Sequence, residues 1–487
     1  MPTIQIPAHK REINVPTGMV LLDALKQHGL YSDAPCGGKG TCGKCKVLAD
    51  GAEVLACKTI VDRDMSVVLP QAIGLRILQS SIDTDQRPEP FNTGYLVAFD
   101  VGTTSVVCYL LDGKTGEELA SAGMLNPQVA FGADVISRIQ AALRGEFAQL
   151  TSLIRSAMDD IIRRVCFDAH IAPAEIGVIS VVGNPAMQQL FLGIIPKNLA
   201  KAPFAPALKG TRMILAQDLL PSSPDAQLLI VPNIGGFVGS DTTACLLATE
   251  LYKKDEITLM VDIGTNGEMV LGNKDRMIAC STAAGPALEG ANIRFGMRGT
   301  DGAIDHVWLE NGGVRYSVVG GGKATGICGS GLIDAVAAGL RMGVVNKRGR
   351  IQNEEHILHL TDDVFLTQED IRQVQLAKGA VCAGIIMMAK HLGISLDEIQ
   401  KVQLAGAFGS YLNPENACRI GLLPEQLSGK IQSVGNAAGS GVKMLARDKR
   451  LLEVTEMLAN KIEFLELATL PEFAKTFAKA MNFQEGT

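Results

Sequence analysis

The sequence contains no run of 18 apolar residues, the length a membrane-crossing helix needs. Its longest apolar stretch, Ala380 to Ala389, is broken by Lys378 and Lys390, so no membrane span is expected. Basic residues are not in excess: 45 Lys plus Arg stand against 51 Asp plus Glu, a net charge of −6. Nucleic acid is therefore a poor partner, because no surplus cations exist to neutralise phosphates. The N-terminus lacks the basic-then-apolar order of a secretion signal, which predicts a cytoplasmic protein. The 11 cysteines are odd in number, so a disulfide framework is not expected. With 47% hydrophobic and 20% charged residues, a disordered chain is excluded. At roughly 150 residues per domain, the length suggests about two to four domains.

The cysteines are unevenly spread. Cys108, Cys166, Cys245 and Cys382 sit among apolar neighbours and read as small buried hydrophobes. Cys36, Cys42, Cys45 and Cys57 instead form Cys-x5-Cys-x2-Cys-x11-Cys, three of them on the loop Ala34-Pro-Cys-Gly-Gly-Lys-Gly-Thr-Cys-Gly-Lys-Cys45. Three thiolates on a glycine-rich loop with a fourth arriving later resembles the plant-type ferredoxin arrangement around a [2Fe–2S] cluster. The glycines let the loop fold tightly and turn N–H groups toward the cluster sulfurs. Zinc also takes four cysteines, but its structural sites pair two short Cys hooks, and here Cys57 stands alone.

The flanks fit a ferredoxin-like β-grasp domain over residues 1–72. Thr3–Ile6 and Glu12–Val15 read as a hairpin, Met19–His28 as a helix, and Lys46–Leu48 and Glu53–Ala56 as strands. Lys39, Lys44, Lys46 and Lys58 form either a solvated basic face or a docking rim for an acidic electron donor. Residues 73–93, with Asp83-Thr-Asp-Gln-Arg-Pro-Glu-Pro90, read as a linker.

Residues 94–487 repeat one construction. An apolar strand runs into Asp-x-Gly-Thr at Tyr95–Thr104 and again at Thr258–Gly267. Each half later has an apolar strand running into glycine, at Val178–Asn184 and Val402–Gly409. The halves are expected at about 94–235 with the C-terminal tail, and about 236–435. This duplication resembles the superfamily of acetate and sugar kinases, actin and heat-shock chaperones. In these, two ribonuclease-H-like halves close over ATP, giving an α/β and α+β multidomain chain overall.

By that resemblance, Asp100, Gly102, Thr103 and Thr104 match the first phosphate motif, and Asp262, Gly264, Thr265 and Asn266 the second. Glycine permits close backbone approach to phosphate, and the carboxylates offer hard oxygen ligands to Mg²⁺ or its waters. Gly406, Ala407 and Gly409 match the adenosine-side motif, with Gly-Ala where many members have consecutive glycines. Gly329 and Ser330, in Gly326–Asp334, form a turn into a helix that suits either an anion or tight helix packing. Asp241 fits two readings: the base that orients the attacking water, or the N-cap of a helix starting at Thr242.

A plant-type cluster domain ahead of an actin-like ATPase is a rare pairing. Together with Asn126-Pro-Gln128, Phe131–Ile139, Cys280–Ile293 and Leu404–Gly409, the chain is similar to the reductive activators of corrinoid proteins. The longer members carry an extra small domain where this chain has only the linker. The resemblance implies an ATP-hydrolysing iron–sulfur reductase that returns inactive Co(II) to Co(I) by one electron. Plant-type clusters sit near about −400 mV. A cobalt couple on the order of 100–200 mV lower makes the step uphill by about 2–5 kcal/mol, which explains the use of ATP. The resemblance also implies a corrinoid protein of a methyltransferase system as partner. It further implies a low-potential donor such as ferredoxin or flavodoxin, and a homodimer. Ser281 and Thr282 are the expected docking hydroxyls, in a segment whose small residues admit a planar macrocycle. A small-molecule kinase with a regulatory cluster, an activator of another low-potential enzyme, and a redox-sensing ATP-clamped binding module stay open.

Overall fold

The computed structural model describes residues 1–7, 11–28, 30, 38, 40, 45–69 and 88–483. Residues 73–87 of the predicted linker fall outside these, as do Cys36, Cys42, Lys39 and Lys44.

The N-terminal domain is a five-stranded sheet crossed by one helix. Strands β1 (Thr3–Ile6) and β2 (Arg11–Asn14) form the expected hairpin, and helix α1 (Leu21–Gln27) follows. The helix starts two residues later than predicted, because Met19 and Val20 pair with Val61 and Ile60. Strands β3 (Lys46–Ala49), β4 (Ala52–Leu55) and β5 (Met65–Val68) complete the order β2-β1-β5-β3-β4. Leu21, Leu22 and Leu25 of α1 bury against Ile4, Ile6, Val47 and Val67 of the sheet. The β1–β5 pair is parallel and spans the whole domain, so the sheet closes around the helix as a β-grasp.

Beyond residue 88 the duplication is explicit in strand order. The first sheet contains β6 (Tyr95–Val101), β7 (Ser105–Asp112), β8 (Glu118–Leu125), β9 (Ile176–Gly183), β10 (Arg212–Leu215) and β11 (Gln227–Ile230). They lie in the order β8-β7-β6-β9-β11-β10. The second contains β12 (Thr258–Ile263), β13 (Gly267–Gly272), β14 (Met277–Thr282), β15 (Lys401–Ala405) and β16 (Ile431–Gly435). A sixth short strand, β17 (Glu463–Phe464), pairs with β14 at the edge. The order β17-β14-β13-β12-β15-β16 repeats the first sheet over the five strands from β14 to β16. In each, three antiparallel strands are followed by two parallel ones, the ribonuclease-H-like pattern. The central strands are apolar on both faces because helices cover both sides.

Helices α2 (Val135–Ala141), α3 (Phe147–Asp168) and α4 (Pro185–Leu192) pack on the outer face of the first sheet. Helices α6 (Gly329–Arg341) and α7 (Gln368–Leu392) pack on the second. The apolar run Ala380–Ala389 lies inside α7 and is buried in that core. Between the sheets, α5 (Ser240–Thr249) packs on a C-terminal helix, Ala437–Arg447. Their alanines and leucines join Leu96 and Ala98 of one sheet to Met260 and Val270 of the other in one shared core. Among the described residues, no helix is long and apolar enough to cross a membrane.

Candidate functional site: a carboxylate-lined cleft and a cysteine-bearing hairpin

The strands β6 and β12 end side by side, and each Asp-x-Gly-Thr turn leaves its strand at the same cleft. A cavity of about 620 Å³ lies there, lined by Asp100, Gly102, Thr103, Thr104, Asp241, Asp262, Gly264, Thr265, Asn266, Gly329, Ser330 and Gly406. The residues expected at the two phosphate motifs are thus brought together. The turns are tight: Gly102 N–H donates to Ser105 O (2.9 Å), and Gly264 N–H to Asn266 O (2.9 Å). Gly406 has φ +82°, and a Cβ there would stand 2.5 Å from Asp262 Oδ1. Only glycine fits both that backbone and that carboxylate. Ala407 is part of helix α8 (Gly406–Tyr411), while Gly409 packs on Leu404 behind the turn and does not line the cavity.

Sequence reasoning missed several lining residues. Glu268 stands directly across the hairpin from Asp262. Two carboxylates opposite one another destabilise a strand pair unless a cation answers them. The signal was present, since a short Asp-to-Glu hairpin fixes that register. Glu289, in the turn Pro286–Glu289, accepts from Thr104 Oγ1 (2.9 Å) and Thr265 Oγ1 (2.6 Å). Asn184 caps α4 and donates from Nδ2 to Thr103 Oγ1 (2.9 Å). These follow from tertiary placement alone.

Electrostatically the cleft is one-sided. Asp100, Asp241, Asp262, Glu268, Glu289 and Asp305 line it, against a single basic residue, Arg298. Burial pushes Asp100 up to about 7, with the charges of Asp241 and Asp262 adding to it. Burial does the same for Asp241, to about 7, although the Thr242 N–H opposes it. Asp262 rises to about 6 through burial and the charge of Glu289, and Glu268 is pushed well above the carboxylate range. Crowded hard oxygen donors in a buried cleft are the chemistry a Mg²⁺–nucleotide complex satisfies, so these residues fit the pair.

Two expectations are corrected. Asp241 is not an N-cap: α5 starts at Ser240, the cap position is Gly239, and Asp241 lies in the first turn facing the cleft. The hydroxyls of Ser281 and Thr282 do not share one face, because they are neighbours on β14 and adjacent strand residues point to opposite sides of the sheet. Thr282 is buried and donates to Gly267 O (3.3 Å), and Ser281 donates to Glu268 (3.2 Å). The turn at Gly329 does pack tightly: a Cβ there would meet Leu288 O at 1.9 Å.

In the N-terminal domain, Cys45 precedes β3 and Cys57 follows β4. Lys46 pairs with Leu55, and Ala56 N–H donates to Cys45 O (2.8 Å), so both cysteines lie at one end of the same hairpin. Two cysteines at that end of the hairpin, with two more in the preceding loop of the sequence, fit a [2Fe–2S] cluster. Lys46 of the basic rim is paired to Glu53 (2.8 Å). Cys108, Cys166, Cys245 and Cys382 are buried in the duplicated portion of the chain, as expected.

Comparison with known proteins agrees with this geometry. Residues 4–66 match the model for a 2Fe-2S iron-sulfur cluster binding domain. Residues 95–254 match the RACo middle region, and 256–487 the C-terminal domain of RACo, the ASKHA domain. The corrinoid activation enzyme RamQ of Eubacterium limosum is 33% identical over 97% of this chain and 98% of its own. A Methanosarcina barkeri reductase of the Co(II) methylated amine-specific corrinoid protein is 28% identical over 80% of this chain and 77% of its own. The solved structure of a reductive activator for a corrinoid, iron-sulfur protein superposes with TM-score 0.76 at 28% identity, covering 99% of this chain and 98% of that one. With a relative one-third identical along almost its entire length, and those models matched in order, this chain belongs to the RACo family of corrinoid activators.

Proposed function

We propose that this chain uses ATP to drive one-electron reduction of a corrinoid protein from inactive Co(II) to Co(I), restoring it for methyl transfer. The observation that carries the reading is the union, in one chain, of a cysteine-bearing ferredoxin hairpin and a duplicated carboxylate-lined nucleotide cleft. Similarity to proteins named for that reaction supports it.

The residues divide as follows. Cys36, Cys42, Cys45 and Cys57 hold the [2Fe–2S] cluster, which supplies a one-electron carrier. Asp100 and Asp262 hold Mg²⁺ or its waters, and Asp241 orients the water that attacks the γ-phosphate. Thr103, Thr104, Thr265 and Asn266 hold the phosphates by hydroxyl, amide and backbone N–H. Gly329 and Ser330 shape the ribose side and Gly406 the adenosine side, with Ala407 and Gly409 continuing the helix behind it. A low-potential ferredoxin or flavodoxin is the electron donor, met by the basic rim at Lys39, Lys44 and Lys58. Nucleotide-driven closure of the two halves favours one redox state of the complex, and hydrolysis resets it.

The test is anaerobic spectroscopy of the reduced protein mixed with a Co(II) corrinoid protein. Co(I) absorption should grow with ATP and not without it. Growth at the same rate in both arms, or in neither, removes the proposal.

A further inference from the structure

The segment from Asn126 to Arg138 lines no part of the cleft, yet it fastens the first phosphate turn from behind. Asn126 Nδ2 donates to Gly102 O (2.8 Å) and Asn126 N–H to Thr104 O (3.0 Å). Arg138 Nη2 donates to Thr103 O. All three consecutive carbonyls are therefore drawn away from the cavity. Across a planar trans peptide the N–H points opposite to the C=O. Holding the carbonyls of 102 and 103 back turns the N–H groups of Thr103 and Thr104 toward the cavity, as an anion nest requires.

Arg138 is the centre of this arrangement. It is fully buried, and among the described residues no carboxylate lies within ion-pair distance of it. Besides Thr103 O, its Nε donates to Gly132 O (3.0 Å), and its Nη1 reaches Gln128 Oε1 (3.4 Å). Burial lowers its pKa to about 9, so it stays charged at neutral pH. One rigid guanidinium thus joins the phosphate turn to the 128–132 turn, which lysine's single ammonium cannot do. The far side of that turn carries Phe131, and Lys26 of α1, in the N-terminal domain, sits over the Phe131 ring at 5.3 Å.

We propose that Arg138 is a positioning residue that ties the first phosphate turn to the surface where the cluster domain rests. Phosphate binding at Thr103 and Thr104 and the seating of α1 on Phe131 are then one linked event. Phosphate drawing on the Thr104 N–H turns the peptide whose carbonyl Arg138 holds, and the guanidinium passes that movement to Gly132, next to Phe131. The linkage is reciprocal: seating the cluster domain tightens nucleotide binding. This rests on the reading that the cleft binds ATP.

The test is hydrogen exchange on the cluster-loaded full chain, with and without Mg²⁺ and a non-hydrolysable ATP analogue. In the natural chain, nucleotide should slow exchange at residues 99–107 and change it at 20–28. Lys26→Ala should keep nucleotide protection at 99–107 and lose the change at 20–28. Arg138→Lys should lose the change at 20–28 and weaken nucleotide binding by about tenfold, the scale of one charge-assisted hydrogen bond. If Arg138→Lys does not fold, Lys26→Ala and Phe131→Leu decide alone. Protection at 99–107 with no change at 20–28 in the natural chain overturns the linkage and leaves the nucleotide reading standing. So does a change at 20–28 that survives Lys26→Ala and Phe131→Leu. Protection at neither segment overturns both.

Discussion

Thr104, on the first phosphate turn, and Thr265, on the second, hold their hydroxyl oxygens 3.4 Å apart and donate to the same oxygen of Glu289. The two halves of the ATPase thus meet at a single carboxylate where the phosphates are proposed to lie. On the proposed reading a bound phosphate would take over those hydroxyls and release Glu289. Thr104→Val or Thr265→Val should each lower kcat/KM for ATP by about 10- to 100-fold, since each loses one hydrogen bond to a charged group. Each variant should also lose on the order of 1–2 kcal/mol of stability, because valine keeps the shape but leaves Glu289 with one donor fewer. Phosphate-release kinetics with thermal melts check both halves of this expectation.

The crowding of carboxylates gives a signed stability prediction. Asp100 and Asp262 are buried beside other acids, so neutral replacements relieve repulsion in the metal-free protein. Asp100→Asn and Asp262→Asn should raise its Tm. Mg²⁺ should raise the Tm of the natural chain, by about 2.7 kcal/mol of stability at 100 times its Kd. That increment should shrink in both variants, and ATP turnover should fall at least about 100-fold. Calorimetry with chelator and then with Mg²⁺ measures the effect. A lower Tm for both variants without metal would contradict the electrostatic account.

Cys57 sits at the end of the hairpin rather than in its core. Cys57→Ala should therefore abolish the visible absorption and the acid-labile sulfide while sparing ATP hydrolysis. Iron and sulfide analysis of anaerobically purified protein, beside an ATPase assay, distinguishes this from general misfolding. Stoichiometric zinc without sulfide in the natural chain would reject the cluster.

Gly329 opens α6 directly beneath Leu288, next to Glu289. A methyl group there meets the Leu288 carbonyl oxygen at 1.9 Å and the Phe408 ring at 2.6 Å. Gly329→Ala should cost about 1–3 kcal/mol through overpacking. By displacing the 286–289 turn, it should also weaken nucleotide binding. Titration with a fluorescent ATP analogue and a denaturant melt test the two effects separately.

Much of this protein is set by its sequence. The spacing Cys36, Cys42, Cys45, Cys57 restricts the metal chemistry, because a glycine-rich loop with one late cysteine suits a [2Fe–2S] cluster better than paired zinc hooks. The two apolar strands ending in Asp-x-Gly-Thr announce the duplication, since local strand pattern and turn chemistry survive in any single repeat. Glu268 was legible too, given the length of its hairpin. Other features needed the folded chain. Glu289 is 185 residues from Thr104, and Arg138 is 35 from Thr103, so no local period links them. Thr282 looks like a surface hydroxyl in the sequence and is buried in the structure, because α7 packs across its face of β14. Asp241 looks like a cap and becomes a cleft acid because its helix begins one residue before it. Local residue chemistry names the parts. Which carboxylate faces which hydroxyl, and which buried cation stands behind the phosphate turn, depends on long-range packing, which a linear pattern does not encode.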